Sequence, residues 1–103
     1  MAIYEILFAS LKSNQKSELK KLLKWNTQYH LERNVEKPRY FISEDGKHFV
    51  MLVKYKSKRQ MEKLHKEWYG SETEKWFTER AAKIFQSGKS MIYKEIDEST
   101  KPL

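Results

Sequence analysis

Apolar residues change their spacing several times along the chain, and each change marks an element. From Ile3 to Lys12 the residues Ile3, Ile6, Leu7, Phe8 and Leu11 leave little polar alternation. That pattern predicts a strand covered on both faces. Ser13, Asn14 and Gln15 break the run and offer N-cap side chains. From Lys16 to Arg33 the period becomes helical. Leu19, Leu22, Leu23, Asn26, His30 and Arg33 share one face, flanked by a stripe of Trp25 and Tyr29. Asn34 is the expected stop, and Pro38 blocks further helix.

Arg39 to Ser43 and Lys47 to Tyr55 read as two strands joined by Glu44-Asp45-Gly46. An Asp-Gly pair suits the positive φ angles of a tight hairpin turn. The continuous run Phe49 to Val53 predicts a central strand. Ser57 and Gln60 have capping-box spacing, and Met61, Leu64, His65 and Trp68 share one helical face. Gly70 interrupts this helix, and a second box, Ser71 and Glu74, restarts it. Phe77, Ala81 and Ile84 continue the stripe to an expected end at Ser87-Gly88. Ser90 to Ile96 is the last expected strand.

The order β-α-β-β-α-β predicts an α+β, ferredoxin-like domain, with a four-stranded antiparallel sheet and both helical segments on one face. One domain is expected over residues 1–97, with a flexible polar tail over 98–103. The first and third strands are apolar on both parities, so the face away from the helices would be a large apolar patch. Such patches mark partner surfaces, and a self-complementary homodimer is the simplest partner.

Composition narrows the function classes. The 103 residues fit one core, and 39% hydrophobic content is too high for a disordered chain. No stretch approaches the roughly 20 apolar residues of a membrane span. Met1 to Leu11 lacks the basic and small-residue features of a signal peptide. Cysteine is absent, which removes disulfide and thiolate chemistry and suits a reducing cytoplasm. The net charge of +7 is spread as lysine among glutamate, and no nucleic-acid motif accompanies it. The charge therefore reads as a solvated surface, and no nucleic-acid partner is expected.

Several segments resemble a known group. Tyr4-Glu5-Ile6 followed by Leu11-Lys12 resembles the opening of NIPSNAP-like proteins. These belong to the dimeric α+β barrel superfamily, together with the antibiotic-biosynthesis monooxygenases. Phe49 to Ser57 resembles that group's third strand running into a serine-started helix. Trp68, Gly70 and Trp76 resemble its interrupted second helix. Leu7 stands where the NIPSNAP-like pattern has arginine, and Ser13-Asn14 where it has Pro-Gly. The resemblance implies the fold and a dimer. The group's activities include cofactor-independent oxygenation, haem degradation and isomerisation, and some members have no assigned activity.

No complete catalytic or metal motif is present, so candidate chemistry rests on single polar residues. Asn26 and His30 sit one turn apart on a leucine-lined helix face. They are either hydrogen-bonded core residues or the polar wall of a cavity. In the second case a neutral His30 imidazole would act as the catalytic base, and Asn26 would hold a developing oxyanion. Glu5 interrupts an apolar strand, either as a solvent-reaching residue or as a cavity acid with a raised pKa. His65 and Trp68, on the inward face of the second helix, complete the ligand-binding candidates. His30, His65 and Glu5 could together bind a metal, but no spacing motif supports this, and neither metal nor cofactor is expected. His48, beside a turn, is expected to face solvent. The expected ligand is a small apolar or aromatic molecule held between sheet and helices. The chemistry the resemblance suggests is cofactor-independent monooxygenation. The alternative is a non-enzymatic dimeric module acting through its surface.

Overall fold

The computed structural model describes residues 2–99. Of the tail expected at 98–103, residues 100–103 lie outside this range. The elements in order are β1 (Ile3–Leu11), α1 (Lys16–Glu32), β2 (Arg39–Ile42), β3 (His48–Tyr55), α2 (Lys58–Trp68), α3 (Glu72–Ile84) and β4 (Phe85–Lys94). The sheet order is β2-β3-β1-β4, with every neighbouring pair antiparallel. This is the expected α+β, ferredoxin-like arrangement, with the second helical segment divided into α2 and α3.

Both expected capping boxes form. Ser57 Oγ accepts from the Gln60 amide at 3.2 Å, and Ser71 Oγ from the Glu74 amide at 3.0 Å. The reciprocal bonds reach one residue further back than the motif requires, to the Lys56 and Gly70 amides. Gly70 has φ +81°, the left-handed conformation that ends one helix before the next begins. Asn34 likewise stops α1 with φ 59°. At the start of α1 the Gln15 cap makes no side-chain hydrogen bond, and Asn14 turns the chain with φ 60°.

Two local expectations are corrected. Ser87-Gly88 does not end a helix: α3 stops at Ile84 and β4 begins at once. Pairing with β1 overrides the local glycine signal, because Ser87 and Gly88 lie opposite Ser10 and Ala9, and a register shift at Ser10/Leu11 brings Phe85 opposite Leu11. β4 correspondingly ends at Lys94, and Ile96 lies beyond it, exposed. In the β2–β3 connection only Gly46 takes a positive φ, so the Asp-Gly pair does not make a two-residue turn. The Gly46 amide bonds the Ser43 carbonyl at 2.9 Å, and Asp45 accepts from Ser43 Oγ and the Lys47 amide.

The register assigns every strand residue to a face. Ile3, Glu5, Leu7 and Ala9 of β1 share the helix side with Phe49, Met51, Val53 and Tyr55 of β3. The opposite face carries Tyr4, Ile6, Phe8, Phe41, Val50, Leu52, Met91 and Tyr93. No element among the described residues covers it, and Phe8 and Phe41 are about half exposed. The core beneath the helices is divided. One buried cluster contains Tyr29, Val35, Val53, Tyr55, Met61 and Leu64; the other contains Ala9, Leu19, Leu22, Phe49 and Ile84. Met51 packs against both. Arg33 fastens α1 to α2, stacking on Tyr29 at 3.6 Å and pairing with Glu67 at 2.8 Å.

Candidate functional site

Between the two clusters lies a cavity of about 730 Å³. It opens toward solvent past the exposed residues Tyr69, Thr78, Ala82 and Gln86. Leu7, Leu22, Leu23, Val53 and Phe77 make much of its wall apolar. Glu5, Asn26, His30, His65 and Trp68 all line this one cavity. His48 lies on the sheet away from it and is exposed.

Glu5 is the hub of the polar wall. Strand alternation points it at the helices. Its Oε1 accepts from the Tyr55 hydroxyl at 2.8 Å and bonds His65 Nε2 at 2.9 Å, while Oε2 accepts from Ser90 Oγ at 2.9 Å. Burial alone would raise the carboxyl pKa. The bonds from His65, Tyr55 and Ser90 outweigh it, so the pKa falls below the ordinary carboxylate value. This corrects the raised pKa expected for a cavity acid. Burial, and then the Glu5 charge, push the Tyr55 hydroxyl far up, so it stays a donor. The His65 ring meets Tyr55 and Tyr69 edge-on, at centroid distances of 6.1 and 5.4 Å.

His30 is buried in the helix wall. Its Nδ1 bonds the Asn26 carbonyl one turn back at 2.8 Å, which fixes Nδ1 as the protonated nitrogen of the neutral ring. Among the described residues Nε2 has no hydrogen-bond partner, and no side-chain nitrogen or oxygen is both fully buried and unpaired. Nε2 is therefore not sealed in the core, and His30 is one of the residues that line the cavity. Burial is the main cause that lowers the His30 pKa, and it outweighs the opposing effects of the Asn26 bond and the Glu5 charge.

Asn26 is differently committed. Its amide nitrogen faces the Tyr40 hydroxyl at 3.1 Å and Met51 Sδ at 3.3 Å. Tyr40 in turn meets Thr27 Oγ1 at 3.0 Å and donates to the Leu23 carbonyl at 3.3 Å. These bonds tie β2 to α1 and engage the donors that an oxyanion would need. Trp68 packs edge-on against Tyr29 and Phe77, at 5.1 and 5.4 Å.

Sequence reasoning missed Tyr55, Ser90 and Tyr40 as parts of this site. Tyr55 carried a usable signal, since it shares strand parity with Phe49, Met51 and Val53. No three His, Asp or Glu side chains among the described residues are grouped to hold a metal ion. Both Glu5 oxygens are already engaged by protein donors.

No protein-family model and no curated protein sequence matches the chain. Solved structures do. A conserved protein of Methanosarcina mazei superposes with TM-score 0.75 at 14% identity, over 93% of this chain and 94% of that one. A NIPSNAP family protein of Agrobacterium tumefaciens gives 0.73 at 16% identity, over 96% and 97%. A Nitrosomonas europaea protein named for the antibiotic biosynthesis monooxygenases gives 0.73 at 16%, over 96% and 94%. The chain therefore has the fold of the NIPSNAP and antibiotic-biosynthesis-monooxygenase proteins, as its sequence resemblance implies. Identities this low show the fold and leave activity to the site. No helix among the described residues is long and apolar enough to cross a membrane.

Proposed function

We propose that this protein is a homodimer that binds and transforms a small apolar or aromatic molecule in the cavity, with His30 as the base. The observation that carries the reading is an open cavity of about 730 Å³ whose apolar wall bears an unpaired imidazole nitrogen. That volume suits a ligand of one to three rings. Burial keeps the His30 ring neutral, so its Nε2 lone pair is free to take a proton from an acidic phenol or enol. Cofactor-independent oxygenation begins with the same deprotonation, and the chemistry suggested by the neighbours' names is compatible with it. The uncovered sheet face supports the dimer: its eight apolar side chains are the kind of surface a second copy buries in an interface of about 1,600 Å² in total.

The test uses 2-naphthol, whose anion absorbs and emits apart from the neutral phenol. The wild type is expected to bind it and raise the naphtholate fraction. His30→Gln should bind without ionising it, and His30→Ala should lose both ionisation and some stability. If His30→Gln binds and ionises the probe as the wild type does while His30→Ala loses only stability, His30 is structural and the reading fails.

A further inference from the structure

We infer that His65, oriented by Glu5, is a second acid–base group in the cavity, and that with His30 it isomerises enolisable apolar ketones by moving a proton between carbon and oxygen. The inference rests on the cavity being a small-molecule site and names its substrate class.

Glu5 cannot itself serve a ligand well, because Tyr55, His65 and Ser90 already occupy both of its oxygens. Its role is positional. By accepting from His65 Nε2 it leaves Nδ1 as the working atom, and the flanking Tyr55 and Tyr69 rings fix the imidazole plane. Among the described residues Nδ1 has no hydrogen-bond partner and is not sealed off, and His65 lines the cavity. His30 presents the opposite case on the same cavity: its Nδ1 is held by a neutral carbonyl, and its Nε2 lone pair is free. An imidazole against a carboxylate is suited to carry and donate a proton. One in an apolar wall is suited to accept one. Two like groups in such different surroundings divide the acid and base roles between them. Asn26 does not compete for the oxyanion, since its amide faces Tyr40 and Met51.

The step balances without any oxidant or reductant. His30 Nε2 takes a proton from the carbon beside the carbonyl. The C–H electron pair becomes the C=C bond, and the carbonyl π pair moves onto oxygen. That oxygen takes the proton from Nδ1 of the His65 imidazolium. His30 leaves as imidazolium, and His65 as a neutral ring still bonded to Glu5. Return of the His30 proton to the same or a conjugated carbon, with His65 recovering the enol proton, restores both groups. The groups facing His65 are Glu5 from β1, Tyr55 from β3 and Tyr69 at the end of α2. His30 feels Glu5 and, just past the end of α1, Arg33.

The test uses the full chain and 2-tetralone, an aromatic ketone with exchangeable hydrogens beside its carbonyl. Proton NMR in D₂O follows their loss, and tryptophan fluorescence follows binding. The wild type is expected to accelerate exchange about 10²-fold over buffer, the usual scale of positioned acid–base catalysis. His65→Gln should bind the ketone within about two-fold of wild type and lose nearly all of that acceleration. Glu5→Gln, which removes the carboxylate that holds His65 Nε2, should cut the acceleration about tenfold while binding stays within about two-fold of wild type. Binding without accelerated exchange overturns this inference and leaves the cavity reading standing. Failure to bind overturns both. Undiminished exchange in His65→Gln removes His65 from the reaction. If that variant does not fold, undiminished exchange in Glu5→Gln has the same force.

Discussion

Replacing Glu5 by Leu tests whether the polar wall is one cooperative unit. The side chains are close in size, so little volume is lost, but three donors lose their acceptor. Tyr55 matters most, because it is only 1% exposed and its hydroxyl bonds Glu5 at 2.8 Å. A buried donor left without a partner costs about 1–3 kcal/mol. Ser90 is exposed and turns to water, so it adds little. His65, with its side chain 23% exposed, falls between the two. We expect Glu5→Leu to lower unfolding free energy by about 2–4 kcal/mol, the sum of one full orphaning and one partial one. Urea denaturation followed by the fluorescence of the Trp25, Trp68 and Trp76 cluster measures it. Tyr55→Phe should cost about 1.5–3 kcal/mol alone, because its bond is to a charged acceptor, and much less in the Glu5→Leu background. A Glu5→Leu cost under about 1 kcal/mol, or additive single and double variants, would refute the shared unit.

Three further outcomes follow from the same contacts. His30 and Glu5 both have folded-state pKa values below their ordinary 6.5 and 4.5, so the unfolded chain binds more protons at acid pH. Their stabilisation is complete above about pH 6.5 and is lost as pH falls through the folded values. Thermal melts should show this, and His30→Gln should flatten the part that begins near pH 6.5; an unchanged profile would contradict it. Gly70→Ala should destabilise by about 1–2 kcal/mol in urea titrations, through the left-handed backbone alone, because nothing lies within 4 Å of the added methyl. A neutral result would show that the α2–α3 joint relaxes. Phe8→Lys on the uncovered face should give monomers in sedimentation while the far-ultraviolet circular dichroism stays unchanged; a persistent dimer would move the interface elsewhere.

Features set by local chemistry were legible in the sequence. The serine caps of α2 and α3, the Asn34 stop and the helix face carrying Asn26 and His30 depend on residues within a turn or two of one another. Features set by pairing were not. Ser87-Gly88 reads locally as a stop, and only its place opposite Ser10 and Ala9 makes it strand. The polar cluster needs three strands brought into register: Glu5 from β1, Tyr55 from β3 and Ser90 from β4. Tyr55 lies 50 residues from Glu5, and Ser90 lies 85. No helical or strand period spans such a distance. The same separation explains the error on Glu5. Burial was visible in its apolar neighbours, whereas the donors that reverse the effect of burial were not.

The size of the cavity bears on whether it is a site or a packing fault. A closed, dry void costs about 24 cal/mol per Å³ relative to a filled core, so one of about 730 Å³ would cost roughly 18 kcal/mol. Whole domains of this size are stable by only about 5–15 kcal/mol. The space is therefore not a dry void, and its open rim and polar wall agree with occupation by water. Keeping it open also has a local cost. Leu23 and Phe77 stay part-exposed there, although a shift of α3 toward β1 would cover them. The restraints against such a shift are visible. Lys12 Nζ bonds the Ala82 carbonyl and the Lys12 amide the Ile84 carbonyl, both at 2.8 Å, which pin the end of α3 to the end of β1. At the other end, Ser71 and Glu74 fix the start of α3 beyond Gly70. Held at both ends, α3 cannot settle into the apolar space beneath it without breaking these bonds.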